Sequence, residues 1–152
     1  MQAFIKKIIL ATDFSDISKD ASYYALQLAH AFKAELIALY AFDISVWKSP
    51  SKDLTIGGPD KVSGSQAQAR QRGKDALKEL AESSDLEVKT IFTEGDPGHE
   101  IVRVAEERKA DLIVLGTHGQ TGWKHFALGS VAELVVRHAP CAVLTIRPKG
   151  NR

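Results

Sequence analysis

Short apolar runs and helical stripes alternate along this chain. Residues 7–12 (KIILAT) form an Ile-rich run of the kind that fills a buried parallel strand. Residues 17–32 follow with Ala21, Ala25, Leu28, Ala29 and Phe32 on one face at helical spacing. A second strand is predicted at 35–42 (ELIALYAF). A helix is predicted at 65–83, with Ala69, Gly73, Ala76, Leu77 and Leu80 inward. Residues 87–93 (EVKTIFT) alternate and read as a more exposed edge strand. Asp96-Pro97 opens the next helix as N-cap and first-turn proline, and Ile101, Val102 and Ala105 form its buried stripe. A fourth strand covers 111–115. A last helix covers 129–138, with Val131, Leu134 and Val135 inward. A fifth strand, CAVLTI, runs from Cys141 to Ile146 and is closed by Pro148.

Strict alternation of five strands with four helices implies an α/β domain, with a parallel sheet covered by helices on both faces and right-handed crossovers. One domain over residues 1–152 is expected from the length. Residues 44–64 (ISVWKSPSKDLTIGGPDKVSG) break the rhythm with prolines, glycines and no period. They read as a long loop at the carboxyl end of the second strand. It is either a variable surface loop or a lid anchored by Trp47.

Composition narrows the function classes. The chain is 44% hydrophobic and 26% charged with a net charge of +1, so no strong field draws it to nucleic acid or anionic membrane. No run approaches ~18 consecutive apolar residues, so membrane insertion is not expected. The amino-terminal apolar run is cut by Lys6 and Lys7 and reads as a strand rather than a signal peptide. Cys141 is the only cysteine, which excludes an intrachain disulfide and a cysteine metal cluster. A cytoplasmic protein with an inert thiol is expected. No Cys, His or Asp group has metal-site spacing.

The densest signal is GTHGQTGWKHFALGS at 116–130, with four glycines in fifteen residues directly after the fourth strand. The glycines could simply permit turns, and Ser130 could cap the last helix through a capping box with Glu133. Alternatively the stretch cradles an anion. It leaves a strand at Gly116 and enters a helix at Gly129-Ser130, where free amides favour negative charge. It is not a Walker loop, because no Lys-Ser or Lys-Thr closes it. Nor is it a Rossmann fingerprint, because the spacing differs and the loop follows the fourth strand.

The spacing Gly116-x2-Gly119-x9-Gly129-Ser130 resembles the ATP-binding signature of the universal stress protein family. KKIILATDFSD at the start, ADLIVLGTHGQTG, and LGSVAELVVRHAPCAVLTIRP at the end extend the resemblance over essentially the whole chain. It implies an open Rossmann-like sheet of strand order 3-2-1-4-5, usually in a homodimer. In that order the first and fourth strands flank the switch point, and Asp13 stands opposite the glycine loop. A carboxylate there can accept from ribose hydroxyls, or it can serve as a turn or cap residue before the first helix. By similarity Ala11, Thr12, Asp13 and Ala41 form the adenine side. Leu115, Gly116, His118 and Gly119 line the ribose and first phosphates, and Gly129, Ser130 and Val131 hold the distal phosphates. Alanine replaces the family's usual valine at 41, and Ala132 replaces a frequent hydroxyl residue.

The resemblance thus implies ATP, with ADP or AMP as alternatives, and Mg²⁺ carried in by the phosphates. No phosphate-directed lysine or clear general base accompanies the loop, so an ATP-binding stress-response or signalling module with slow or no hydrolysis is expected. His118 and His125 are read as solvated side chains more than as proton carriers. The alternative is a nucleotide-free dimeric interaction protein of the same fold. Either way the strand from Cys141 to Ile146 has an unpaired outer edge, and pairing it with its copy covers that edge.

Overall fold

The computed structural model describes residues 4–48, 65–118 and 128–149. The elements run β1 (Lys7–Ala11), α1 (Asp16–Phe32), β2 (Glu35–Phe42), α2 (Ser45–Lys48), α3 (Gln66–Glu82), β3 (Val88–Glu94), α4 (Pro97–Arg108), β4 (Leu112–Gly116), α5 (Ser130–His138) and β5 (Ala142–Ile146). The five strands form one parallel sheet in the order β3-β2-β1-β4-β5. The expected α/β class and strand order are both present. Among the described residues, the one element outside that expectation is α2, a single turn inside the stretch read as a loop. Trp47 on this turn stacks on Phe42, with ring centroids 6.4 Å apart. Residues 49–64, and with them the lid reading, lie outside the described residues.

The apolar runs of β1 and β4 follow from their central place. Ile8, Ile9 and Leu10 are fully buried, as are Ile113 and Val114, because helices cover both faces. Side chains alternate between two cores. Ile8, Leu10, Leu36, Ala38, Leu112 and Val114 face α1 and α3. Ile9, Ala11, Ile37, Leu39, Ile113 and Leu115 face α4 and α5. β3 at one edge has Val88 as its one buried residue, which explains its polar alternation.

Helix α1 lies close to the sheet because Ala21, Ala25 and Ala29 repeat at four-residue spacing and present almost no side chain. Phe32, expected on that face, is exposed, although Ala29 in the same last turn is buried. On α4 the buried set is Ile101, Val104 and Ala105, and Val102 is only half-buried. Side-chain caps start three helices: Ser15 on α1, Ser65 in a capping box with Gln68 on α3, and Asp96 on α4. Helices α1 and α4 end alike. Lys33 and Lys109 turn left-handed at φ 55° and 54°, and the chain enters the next strand two or three residues later. At the amino edge the Asp111 carboxylate accepts from the amides of Lys6 and Lys7 at 2.8 and 2.9 Å, fastening β4 to β1.

Helix α3 touches the sheet through Gly73. A Cβ there would fall 2.3 Å from the Tyr40 ring, which is held between Phe14 and Phe92 at centroid distances of 5.2 and 5.8 Å. Two effects oppose each other when alanine is introduced. Helix propensity favours it by ~1 kcal/mol, and overpacking opposes it by ~1–3 kcal/mol. Phe14 and Phe92 flank the ring and resist its displacement, so the second should win. Gly73→Ala is expected to lower the thermal midpoint by about 2–6 °C in a calorimetric scan. A raised midpoint would show that the aromatic stack yields.

Candidate functional site

Strands β1 and β4 are neighbours, yet the chain winds from β1 outward to β2 and β3, and from β4 outward to β5. Crevices open at the carboxyl ends of such a strand pair. Three chain segments meet there. Residues 11–13 leave β1, residues 116–118 leave β4, and residues 129–131 start α5. Ala41 lies near the carboxyl end of β2, next to β1. The sheet order therefore brings ten of the eleven predicted residues to one edge: Ala11, Thr12, Asp13, Ala41, Leu115, Gly116, His118, Gly129, Ser130 and Val131. Gly119 lies outside the described residues, as do Gly122 and His125.

On the β1 side the backbone makes a tight turn. Phe14 adopts φ 62°, a left-handed conformation unusual for a bulky residue. Its amide donates to the Thr12 hydroxyl at 3.0 Å. The Asp13 carboxylate accepts from the Ser15 amide at 3.0 Å and from the Ser18 hydroxyl at 2.6 Å. Asp13 thus braces the turn that starts α1, so the structural role considered for it is real. Thr12 is buried, and its amide donates to Leu39 on β2. Sequence reasoning missed Tyr40, which backs this turn. Its phenol is pushed above the usual range, first by burial and then by the Asp13 charge, so it stays protonated.

On the β4 side the Gly129 amide donates to the Thr117 carbonyl at 2.7 Å, and the Thr117 amide donates to Ile146 on β5 at 2.9 Å. The start of α5 is therefore stitched to the end of β4. Thr117 is fully buried, and its hydroxyl lies 2.9 Å from His118 Nδ1. When that hydroxyl donates, the neutral imidazole carries its proton on Nε2 and presents a donor there. Thr117 was not singled out from the sequence, because its partner is simply the next residue and no spacing marks it.

Helix α5 starts differently from α1, α3 and α4. Its N-cap is Gly129, with no side-chain capping bond. Ser130 is the first helical residue rather than the cap, and Glu133 pairs with Arg137 at 2.8 Å instead of reaching back. The capping-box reading therefore fails by one residue. The amides of Ser130, Val131 and Ala132 have no intrahelical partner, and the positive end of the helix dipole lies at the crevice. Among the described residues, no cluster of three or more His, Cys, Asp or Glu side chains could hold a metal ion. Two open grooves lie elsewhere, one between α3 and β3 and one at the amino edge beside His30 and Lys33. The Cys141 thiol is pushed up by burial and then by Asp111, which disfavours the reactive thiolate.

Gly116 has a reason inside the fold. A Cβ there would fall 2.5 Å from Cγ2 of Ile17, which α1 lays over the end of β4. Gly116→Ala is therefore expected to destabilise the protein by ~1–3 kcal/mol without any ligand. Combining it with Ile17→Ala should recover at least ~0.5 kcal/mol of the summed single costs in a denaturant double-mutant cycle. Strict additivity would show that the two positions do not touch.

The chain matches the universal stress protein family over residues 5–147. It is 39% identical over 142 residues to universal stress protein MJ0531 of Methanocaldococcus jannaschii, covering 93% of this chain and 82% of that relative. Among solved structures, the universal stress protein UspA from Lactobacillus plantarum matches with a TM-score of 0.71 and 32% identity, over 94% of this chain and 98% of that one. A universal stress protein solved in complex with cAMP matches with a TM-score of 0.65 and 25% identity, over 94% of this chain and 97% of that one. No helix among the described residues is long and apolar enough to cross a membrane. With these matches spanning nearly its full length, the chain belongs to the universal stress protein family.

Proposed function

We propose that this protein binds an adenine nucleotide across the carboxyl edge of β1 and β4 and acts as a nucleotide-dependent stress-response module. The observation that carries the reading is the uncapped start of α5. Three amides without a partner among the described residues and the exposed Ser130 gather at the switch point, where the helix dipole favours a phosphate chain. Asp13 and the end of β1 offer a ribose side. The end of β2 at Ala41 offers a place for the base. A relative of the same fold solved with cAMP supports this class of ligand. ATP is the first candidate, with ADP and AMP as alternatives, and Mg²⁺ would enter on the phosphates with most of its waters. The described crevice supplies no lysine aimed at a phosphate, so hydrolysis is expected to be slow or absent.

A nucleotide-free interaction protein is the second reading. It is favoured by the finding that Gly116 and Gly129 both have packing partners inside the fold, so the glycine pattern does not require a ligand. One substitution separates the two. Gly129 has ψ 160°, which suits a following proline, and proline is well tolerated at the first helical position. Ser130→Pro removes one amide donor and the hydroxyl while keeping the helix. The wild type should show a thermal-shift response to millimolar ATP with Mg²⁺. Ser130→Pro should keep its unliganded midpoint and lose tenfold or more in affinity, as expected for two hydrogen bonds to a charged group. No response by the wild type would leave the nucleotide-free reading standing.

The same proposal includes a homodimer through β5. This edge strand exposes Ala142 and leaves Val143 and Leu144 only partly covered, and Val136 on the adjoining α5 is 48% exposed. Pairing with a second copy would cover the edge. Sedimentation at micromolar concentration should give the mass of two chains, and a single-chain mass would contradict the dimer.

A further inference from the structure

Thr93 Oγ1 is the one buried side-chain oxygen or nitrogen among the described residues that has no hydrogen-bond partner. Folded proteins rarely leave such an atom unpaired, because burial strips its water without replacing it. Its location gives the orphan a meaning. Thr93 is the register partner of Ala41 on β2, one residue before β3 ends. Side chains alternate along a strand. Ile91 and Leu39 both face the α4–α5 side, so Thr93 and Ala41, two residues further on, share that face at the carboxyl edge. The Gly95 amide donates to the Phe42 carbonyl at 3.0 Å, which fixes the end of β3 against the end of β2. The position is therefore rigid and adjoins the place given to the base. Valine has nearly the same shape and would leave nothing unpaired, so packing alone does not call for a hydroxyl.

We propose that the Thr93 hydroxyl hydrogen-bonds the base of the bound nucleotide, which makes it a specificity-determining residue for base-bearing ligands over bare polyphosphate. This rests on the nucleotide reading above and adds the group that contacts the base. A threonine hydroxyl both donates and accepts. A purine edge offers ring nitrogens that accept and, in adenine, an amino group that donates. Thr93 as a residue is partly exposed although its oxygen is buried. Rotation about Cα–Cβ exchanges the hydroxyl with the methyl group, so the contact needs no backbone movement.

The test compares ATP with inorganic tripolyphosphate, which carries the phosphates and no base. Binding is followed by calorimetry on wild type, Thr93→Val and Thr93→Ser. Thr93→Val should bind ATP roughly three- to tenfold more weakly. It should bind tripolyphosphate as the wild type does and keep or raise the unliganded thermal midpoint. Thr93→Ser should restore most of the ATP affinity. Equal ATP affinity in wild type and Thr93→Val would overturn this proposal and leave the nucleotide reading intact. So would a parallel weakening of both ligands, which would mean that the substitution acts through the fold. Absence of ATP binding by the wild type would remove both.

Discussion

The pairing of β1 with β4 is the constraint on which the molecule depends. It joins segments about a hundred residues apart, Ile8 opposite Leu112 and Leu10 opposite Val114. Helices α1 and α3 sit on one side of the pair, and α4 and α5 on the other. The amino end is tied shut by the Asp111 carboxylate on the Lys6 and Lys7 amides. At the carboxyl end the two chains part and leave the sheet toward opposite faces. A crevice there is a consequence of the winding. The turn at Phe14, the buried Thr117 and the start of α5 are all positioned by this one pair.

The fold was largely legible because its signals are local. Fully buried strands read as unbroken apolar runs, as in KIILA and LIVLG, and the edge strand β3 reads as an alternation. The strand order was not legible from periodicity and came from the resemblance to a family. The differences lie where a local pattern met a distant partner. Phe32 keeps the helical spacing of α1 but is exposed, while Ala29 in the same turn is buried. Val104 was passed over in favour of Val102, because a stripe on a short helix leaves its phase loose by one position.

The site was legible to a lesser degree. Its residue set came from the resemblance that the glycine spacing carries, and the sheet order gathers the described members at one edge. What each residue does was not readable. Asp13 carries the usual look of a ligand carboxylate, yet it also braces the first turn of α1 through Ser15 and Ser18. Gly116 looks like a residue cleared for phosphate, yet Ile17 fills the space beside it. Ile17 is some hundred positions away in the chain, and no motif carries that information. A glycine pattern thus reports close approach, and the approaching group can be the protein itself.

Gly129 shows how the two meanings can coincide. A Cβ at this position would lie 3.0 Å from the Thr117 carbonyl oxygen, on a backbone held by a 2.7 Å hydrogen bond to the Gly129 amide itself. A side chain at residue 129 would push that backbone aside by a few tenths of an ångström, so glycine is favoured there. Residue 129 is also the N-cap of α5, the one position from which a Ser, Thr or Asp side chain could satisfy the first amides. The packing therefore works against a capping side chain. With glycine at the cap the loss is only about a few tenths of a kcal/mol, which α1, α3 and α4 avoid with Ser15, Ser65 and Asp96. Ser130, one residue late, is exposed at the first helical position. Stitching α5 to β4 thus leaves donors at the switch point without an acceptor among the described residues, and an anion bound there would supply one.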